Sequence, residues 1–123
     1  ATKTLVPYDT TQKVTLTYAH YARLNVDETT RVGRLLERRL PFAFRAHHEH
    51  QGVEGIPLAE VVSLASIVHP RLFSRRTMTV DVETQGELTR GMTVFDRRRR
   101  SPTPANIDVL SDVDSQGVLD YLT

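Results

Sequence analysis

Apolar positions along this chain recur first at helical spacing and then, in the C-terminal part, in alternation. The opening run Thr4-Leu5-Val6-Pro7-Tyr8 is short and apolar, and Pro7 with the turn-formers Asp9-Thr10-Thr11 stops it, which predicts a buried strand end. Val14 and Leu16 alternate with polar neighbours, as a further extended piece would. Thr17 is suited to cap a helix in which Tyr18, Tyr21, Ala22 and Leu24 follow at helical spacing. Asp27 is the expected cap of the next helix, with Glu28 complementing its positive end. There Val32, Leu35, Leu36 and Leu40 keep the helical period, while Arg31, Arg34, Glu37, Arg38 and Arg39 take the other face. Pro41 ends or kinks this helix, or else opens a second one running to His50. After a loop bracketed by Gly52 and Gly55, the residues Leu58, Val61, Val62, Leu64, Ala65 and Val68 make a largely apolar helix. It is expected to be buried and to close at His69-Pro70.

Met78, Val80 and Val82 then alternate with Thr79, Asp81 and Glu83, the pattern of a half-buried strand. The segment from Val82 to Asp96 reads as a β-hairpin, with Leu88, Met92 and Val94 in the partner strand. Ile107, Val109 and Leu110 predict a third strand, and Asp114 caps a short helix from Ser115 to Leu122. The expected fold is α/β: a small sheet with a C-terminal β-hairpin meander and packed helices, one domain over residues 1–123.

Composition narrows the classes. A chain of 123 residues can bury a core, and 39% hydrophobic with 25% charged residues fits a globular domain rather than a disordered segment. Sixteen basic residues against fifteen acidic ones leave +1, so no overall field draws nucleic acid or an anionic membrane. The absence of cysteine excludes disulfides, thiolate-bound zinc and a thiol nucleophile. No apolar run approaches the roughly 20 residues that span a bilayer, and Ala1-Thr2-Lys3-Thr4 lacks a signal-peptide pattern. A cytoplasmic protein is expected, either processed or part of a longer chain, since residue 1 is not methionine.

The candidate chemistry is sparse. His47 and His50, three apart beside His48 and Glu49, share a helical face but fall short of a full zinc motif. They read as a solvated helix end, where the dipole favours histidine. Arg97 to Arg100 point in several directions and read as a solvated or partner-facing patch. Asp108, Asp112 and Asp114 lack the glycine turn and terminal glutamate of an EF-hand loop, and read as strand-end and cap residues. No Ser-His-Asp set, phosphate-cradling loop or dinucleotide fingerprint is present, so no catalytic residue is assigned from the pattern.

Four collinear segments resemble the inosine-uridine-preferring nucleoside hydrolases. Leu5 to Thr11 is similar to that family's strand ending in a P-L-D-V-T turn. Gly52 to Glu60 resembles its G-x-x-G-x-x-L-H-D loop and helix start. The hairpin from Val82 to Asp96 resembles its C-terminal hairpin, and Pro104 to Val109, running on to Asp114, its closing strand and helix. The resemblance implies the C-terminal half of the nucleoside hydrolase fold, and hydrolysis of the N-glycosidic bond by calcium-bound water. It implies that Glu60 stands where the family places a calcium-ligating aspartate, and Ala59 where it places a histidine beside the leaving group. Phe44 and His47 fall near aromatic positions that reach the base-binding pocket. The family's paired aspartates, ribose-binding asparagines and general base would lie before residue 1, so calcium is expected only if an N-terminal half completes the site.

Two functions follow from that resemblance. One is a hydrolase part that is inactive alone and works with an N-terminal half. The other is a non-catalytic, degenerate hydrolase fragment serving as an oligomeric binding or assembly module. Both expect apolar surface around Leu5-Val6 and the Leu58–Val68 helix to be covered by association. The expected partners are a second copy or a separate N-terminal-half subunit, with a nucleoside as ligand and neither nucleic acid nor membrane.

Overall fold

The computed structural model describes residues 3–98 and 102–122. Its main sheet has the strand order β1-β7-β4, with β1 Thr4–Leu5, β4 Phe73–Met78 and β7 Ile107–Val113. The central strand β7 runs parallel to β1 and antiparallel to β4. Two short antiparallel pairs flank it: β2 Thr15–Leu16 with β3 Ile56–Pro57, and β5 Val80–Val82 with β6 Thr93–Phe95. The helices are α1 Tyr8–Thr11, α2 Tyr18–Tyr21, α3 Arg31–Gln51, α4 Ala59–Val68 and α5 Ser115–Asp120. This is the mixed α/β architecture expected.

The core forms where α4 and α5 meet the sheet. Val14, Val62, Val113, Val118 and Leu119 are its buried members, with Leu58, Val61, Ala65 and Phe73 packed against them. Thr10 is buried in α1, and its hydroxyl donates to the Leu110 carbonyl at 2.8 Å, so this polar side chain is satisfied. A second cluster of Leu16, Phe44 and Ile56 ties α3 to the β2–β3 pair.

Several local expectations change. Thr30, not Asp27, caps α3: its side chain accepts from the Gly33 N–H at 2.9 Å while its own hydroxyl donates to the Asp27 carbonyl. Asp27 instead folds the preceding turn, accepting from the Thr29 N–H and hydroxyl. A Cβ on Gly33 would lie 1.9 Å from the Asp27 carbonyl oxygen, which explains the glycine in a helical first turn. Pro41 neither ends α3 nor starts a second helix. The 21-residue helix runs through it, held at one end by Thr30 and beyond it by buried Phe44, and stops at Gly52 in the left-handed conformation (φ 64°).

The strand Met78–Val82 divides at Thr79. Up to Met78 the chain pairs with β7; from Val80 it pairs with β6. Asn106 fills the gap, its side chain accepting from the Val80 N–H and donating to the Val80 carbonyl. Leu88 and Met92 lie outside the partner strand. The Glu83 carboxylate gathers the Gln85 and Gly86 N–H groups, opening a wide turn whose tip leaves Leu88 99% exposed. Finally, α4 is not fully buried: Val62 is enclosed, yet Leu64, Ile67 and Val68 remain exposed. Leu5 and Val6 are half-buried, and Val6 packs on the core.

Candidate functional site

The loop from Val53 to Leu58 brings the start of α4 beside the C-terminal half of α3. Gly55 makes this approach feasible: its φ is 115°, and a Cβ there would meet Thr15 Cγ2 at 2.4 Å and the Leu16 carbonyl oxygen at 2.9 Å. The Leu58 N–H donates to the Val14 carbonyl at 3.0 Å, so the first turn of α4 is anchored to the core. Ala59 and Glu60 follow in that turn, and Glu60 is exposed. A carboxylate there complements the partial positive charge of the helix end.

Phe44 is 1% exposed and packs among Leu16 and Ile56. Tyr18 stacks on its ring with centroids 4.1 Å apart at 20°, and Tyr21 adds a tilted contact at 5.7 Å. Thr17 fixes Tyr18 at the first position of α2 through a capping box with His20. The two stacked rings form one wall of a cleft of about 240 Å³, completed by Arg45, His48, Glu49, Val53, Glu54 and Gly55. That volume lies below the roughly 300–1,000 Å³ of pockets that enclose whole drug-sized ligands.

The other expected residues are placed as follows. His47 is half-buried and does not line the cleft; its neighbour His48 does. His48 and His50 stand exposed in the last turn of α3. Among the described residues, no three His, Asp or Glu side chains gather to hold a metal ion. The three aspartates of the closing segment have separate partners. Asp108 accepts from Thr77 and pairs with Arg75, Asp112 pairs with Lys13 at 2.7 Å, and Asp114 caps α5 through the Gly117 N–H. Lys13 and the Val113 N–H hold the Asp112 carboxyl below its ordinary pKa. Of the arginine run, Arg97 shares a cavity of about 150 Å³ with Arg76, Asp9 and Ser111, and Arg98 pairs with Asp96 at 2.7 Å; Arg99 and Arg100 lie outside the described residues.

Tyr18, like Arg45, is a cleft residue that pattern reading did not single out. Its sequence signal was only a helical aromatic after a cap, and its stack on Phe44 joins residues 26 apart in the chain (44 − 18).

Comparison with known proteins adds to this geometry. The family described as inosine-uridine preferring nucleoside hydrolase matches residues 1–120. A pyrimidine-specific ribonucleoside hydrolase RihA of Escherichia coli is 34% identical over 115 residues, covering 87% of this chain and 37% of that protein. The RihA of a Shewanella species is 38% identical over 92 residues, 74% of this chain and 29% of that protein. Among solved structures, a purine-preferring ribonucleoside hydrolase from Gardnerella vaginalis superposes with a TM-score of 0.81 at 25% identity, covering 99% of this chain and 38% of that one. A plant nucleoside hydrolase shares the fold at a TM-score of 0.82 and 23% identity, with 99% and 40% covered. The chain therefore spans 29–37% of the length of these two curated relatives.

Proposed function

This chain belongs to the inosine-uridine preferring nucleoside hydrolase family, and from that premise we propose that it serves hydrolysis of the N-glycosidic bond of nucleosides. In this reading the 123 residues do not perform the reaction alone. The observation that carries the second point is the start of α4, where Ala59 and Glu60 follow each other and no further acidic or histidine ligands gather among the described residues. Calcium takes about six to eight oxygen ligands, and Glu60 offers one carboxylate, so these residues by themselves do not fit the ion.

The chain's own contribution is then to binding. The cleft beside Tyr18 suits a flat nucleobase, with Tyr18 offering the ring face that is not stacked on Phe44 and His48, rather than His47, completing the lining. Ala59 has no proton to give a departing base, so departure relies on groups supplied from elsewhere. This also supports a second reading, in which the chain keeps the fold as an assembly module without catalysis.

A chimera separates the two. The region of E. coli RihA matched by this chain would be replaced with these residues, and ribose release from uridine measured. The hydrolase reading expects weak turnover that Ala59→His raises by about 10²–10⁴ in kcat, the usual worth of a general acid. A folded chimera that stays inactive with both Ala59→His and Glu60→Asp favours the assembly module.

A further inference from the structure

Two arginines meet in one cavity on the main sheet without a carboxylate to pair them. Alternation along the strands sets Arg76 and Met78 of β4 on the same face as Val109 and Ser111 of β7. After β6 ends at Phe95, Arg97 joins them around a cavity of about 150 Å³. Val109 is buried and Met78 and Phe95 are half-buried, so much of its wall is apolar. The neighbouring cations are neutralised: Arg75 pairs with Asp108, Lys13 with Asp112 and Arg98 with Asp96. Among the described residues Arg76 and Arg97 form no ion pair. Asp9 also lines the cavity but pairs with neither, and its single charge leaves the cavity net positive. Like charges around one small space repel, and an anion between them reverses the sign of that interaction.

We propose that this cavity binds a phosphoryl group, as free phosphate or carried on a small molecule. Each guanidinium is planar and donates paired N–H groups that match phosphate oxygens two at a time. A phosphomonoester carries about −1.5 to −2 at neutral pH, which answers two cations where a carboxylate's single charge does not. Met78, Phe95 and Val109 keep water from part of the wall, which strengthens those bonds. The Ser111 hydroxyl donates to the Ser74 carbonyl over a long 3.3 Å, and it supplies a further donor when it turns to a ligand. Past Arg76, Met78 and Arg97 the cavity continues into a groove of about 390 Å³ bordered by Thr77, Thr79 and Ala105, which has room for the organic part of a phosphomonoester. The site shares no lining residue with the cleft beside Tyr18, so it stands independently of the hydrolytic reading.

The test is calorimetric titration of the 123-residue chain with inorganic phosphate, ribose 5-phosphate and ribose, at an ionic strength of about 0.15 M, where distant exposed charges are screened. Saturable binding of both phosphates and none of ribose is expected. Arg76→Gln and Arg97→Gln should each weaken it about tenfold, the usual worth of a hydrogen bond between charged groups. Asp9→Asn should tighten it about two- to fivefold by removing a like charge. Arg23→Gln, an exposed arginine outside the cavity, should leave it unchanged, and circular dichroism checks that each variant is folded. Tighter binding of ribose 5-phosphate than of inorganic phosphate assigns the site to a phosphomonoester, and equal binding assigns it to the free ion; both support the proposal. Absence of saturable binding, affinity unchanged in Arg76→Gln and Arg97→Gln, or an equal loss in Arg23→Gln overturns it.

Discussion

Phe44 shows how much one side chain carries. It is the largest fully buried side chain, and it joins the β2–β3 pair to α3 while supporting Tyr18 at the cleft. Phe44→Ala should cost about 3–5 kcal/mol in urea unfolding, because the cavity cannot collapse between a helix and a strand pair. The same change at Leu88, exposed at the turn, should stay within about 0.5 kcal/mol. Carboxylates set the acid response. The Thr29 hydroxyl and N–H lower the pKa of Asp27, the Gln85 and Gly86 N–H groups lower that of Glu83, and Lys13 with the Val113 N–H lowers that of Asp112. A lowered folded-state pKa means the unfolded chain binds protons first as pH falls. Their stabilisation is therefore complete above the ordinary carboxylate range of about 4 and is lost as pH drops through the lower folded values. Urea midpoints should fall between neutral pH and pH about 3, and Asp112→Asn should flatten part of that fall. A midpoint unchanged over this range would contradict these contacts. At this scale the sequence revealed the caps Thr17 and Asp114, whose partners lie three residues away. It did not reveal the Tyr18–Phe44 stack, which depends on how α2 meets α3. Glu60 and Ala59 were singled out only through the resemblance, since an exposed first-turn glutamate looks like any other.

At the scale of elements, local periodicity gave the right types and misjudged several boundaries. The α3 pattern was interrupted at Pro41, yet tertiary packing of Phe44 and the two capped ends carry the helix through. Proline there lacks an N–H and crowds the preceding turn, so Pro41→Ala should raise stability by about 1–3 kcal/mol without altering the helix content seen by circular dichroism. A loss of stability would mean that the proline shapes a bend on which the packing depends. The hairpin was legible in position, but its split at Thr79 was not, because the Asn106 side chain that closes the gap lies 26 residues from Val80. The apolar α4 was recognised as a helix and expected to be buried. Its exposed outward stripe of Leu64, Ile67 and Val68 shows that hydrophobicity identifies the helix but not how much of its surface these residues cover.

For the whole molecule, the sheet, the two core clusters and the cleft form a coherent α/β unit that nonetheless leaves a parallel edge strand and an apolar helix face uncovered. Among the described residues no helix is long and apolar enough to cross a membrane, so that exposed face is not part of a spanning helix. The fold is that of a nucleoside hydrolase over about two-fifths of the solved relatives' length. In the proposed function these residues supply a nucleobase-side wall and one carboxylate at the family's ligand position, but not a complete reaction centre. The most direct measurement is ribose release from uridine and inosine by the 123-residue chain alone, with calcium present, compared with buffer. No release above buffer is expected while the chain remains folded. Sustained turnover by the isolated chain, abolished by Glu60→Gln, would contradict it and show that a complete catalytic centre resides within these residues.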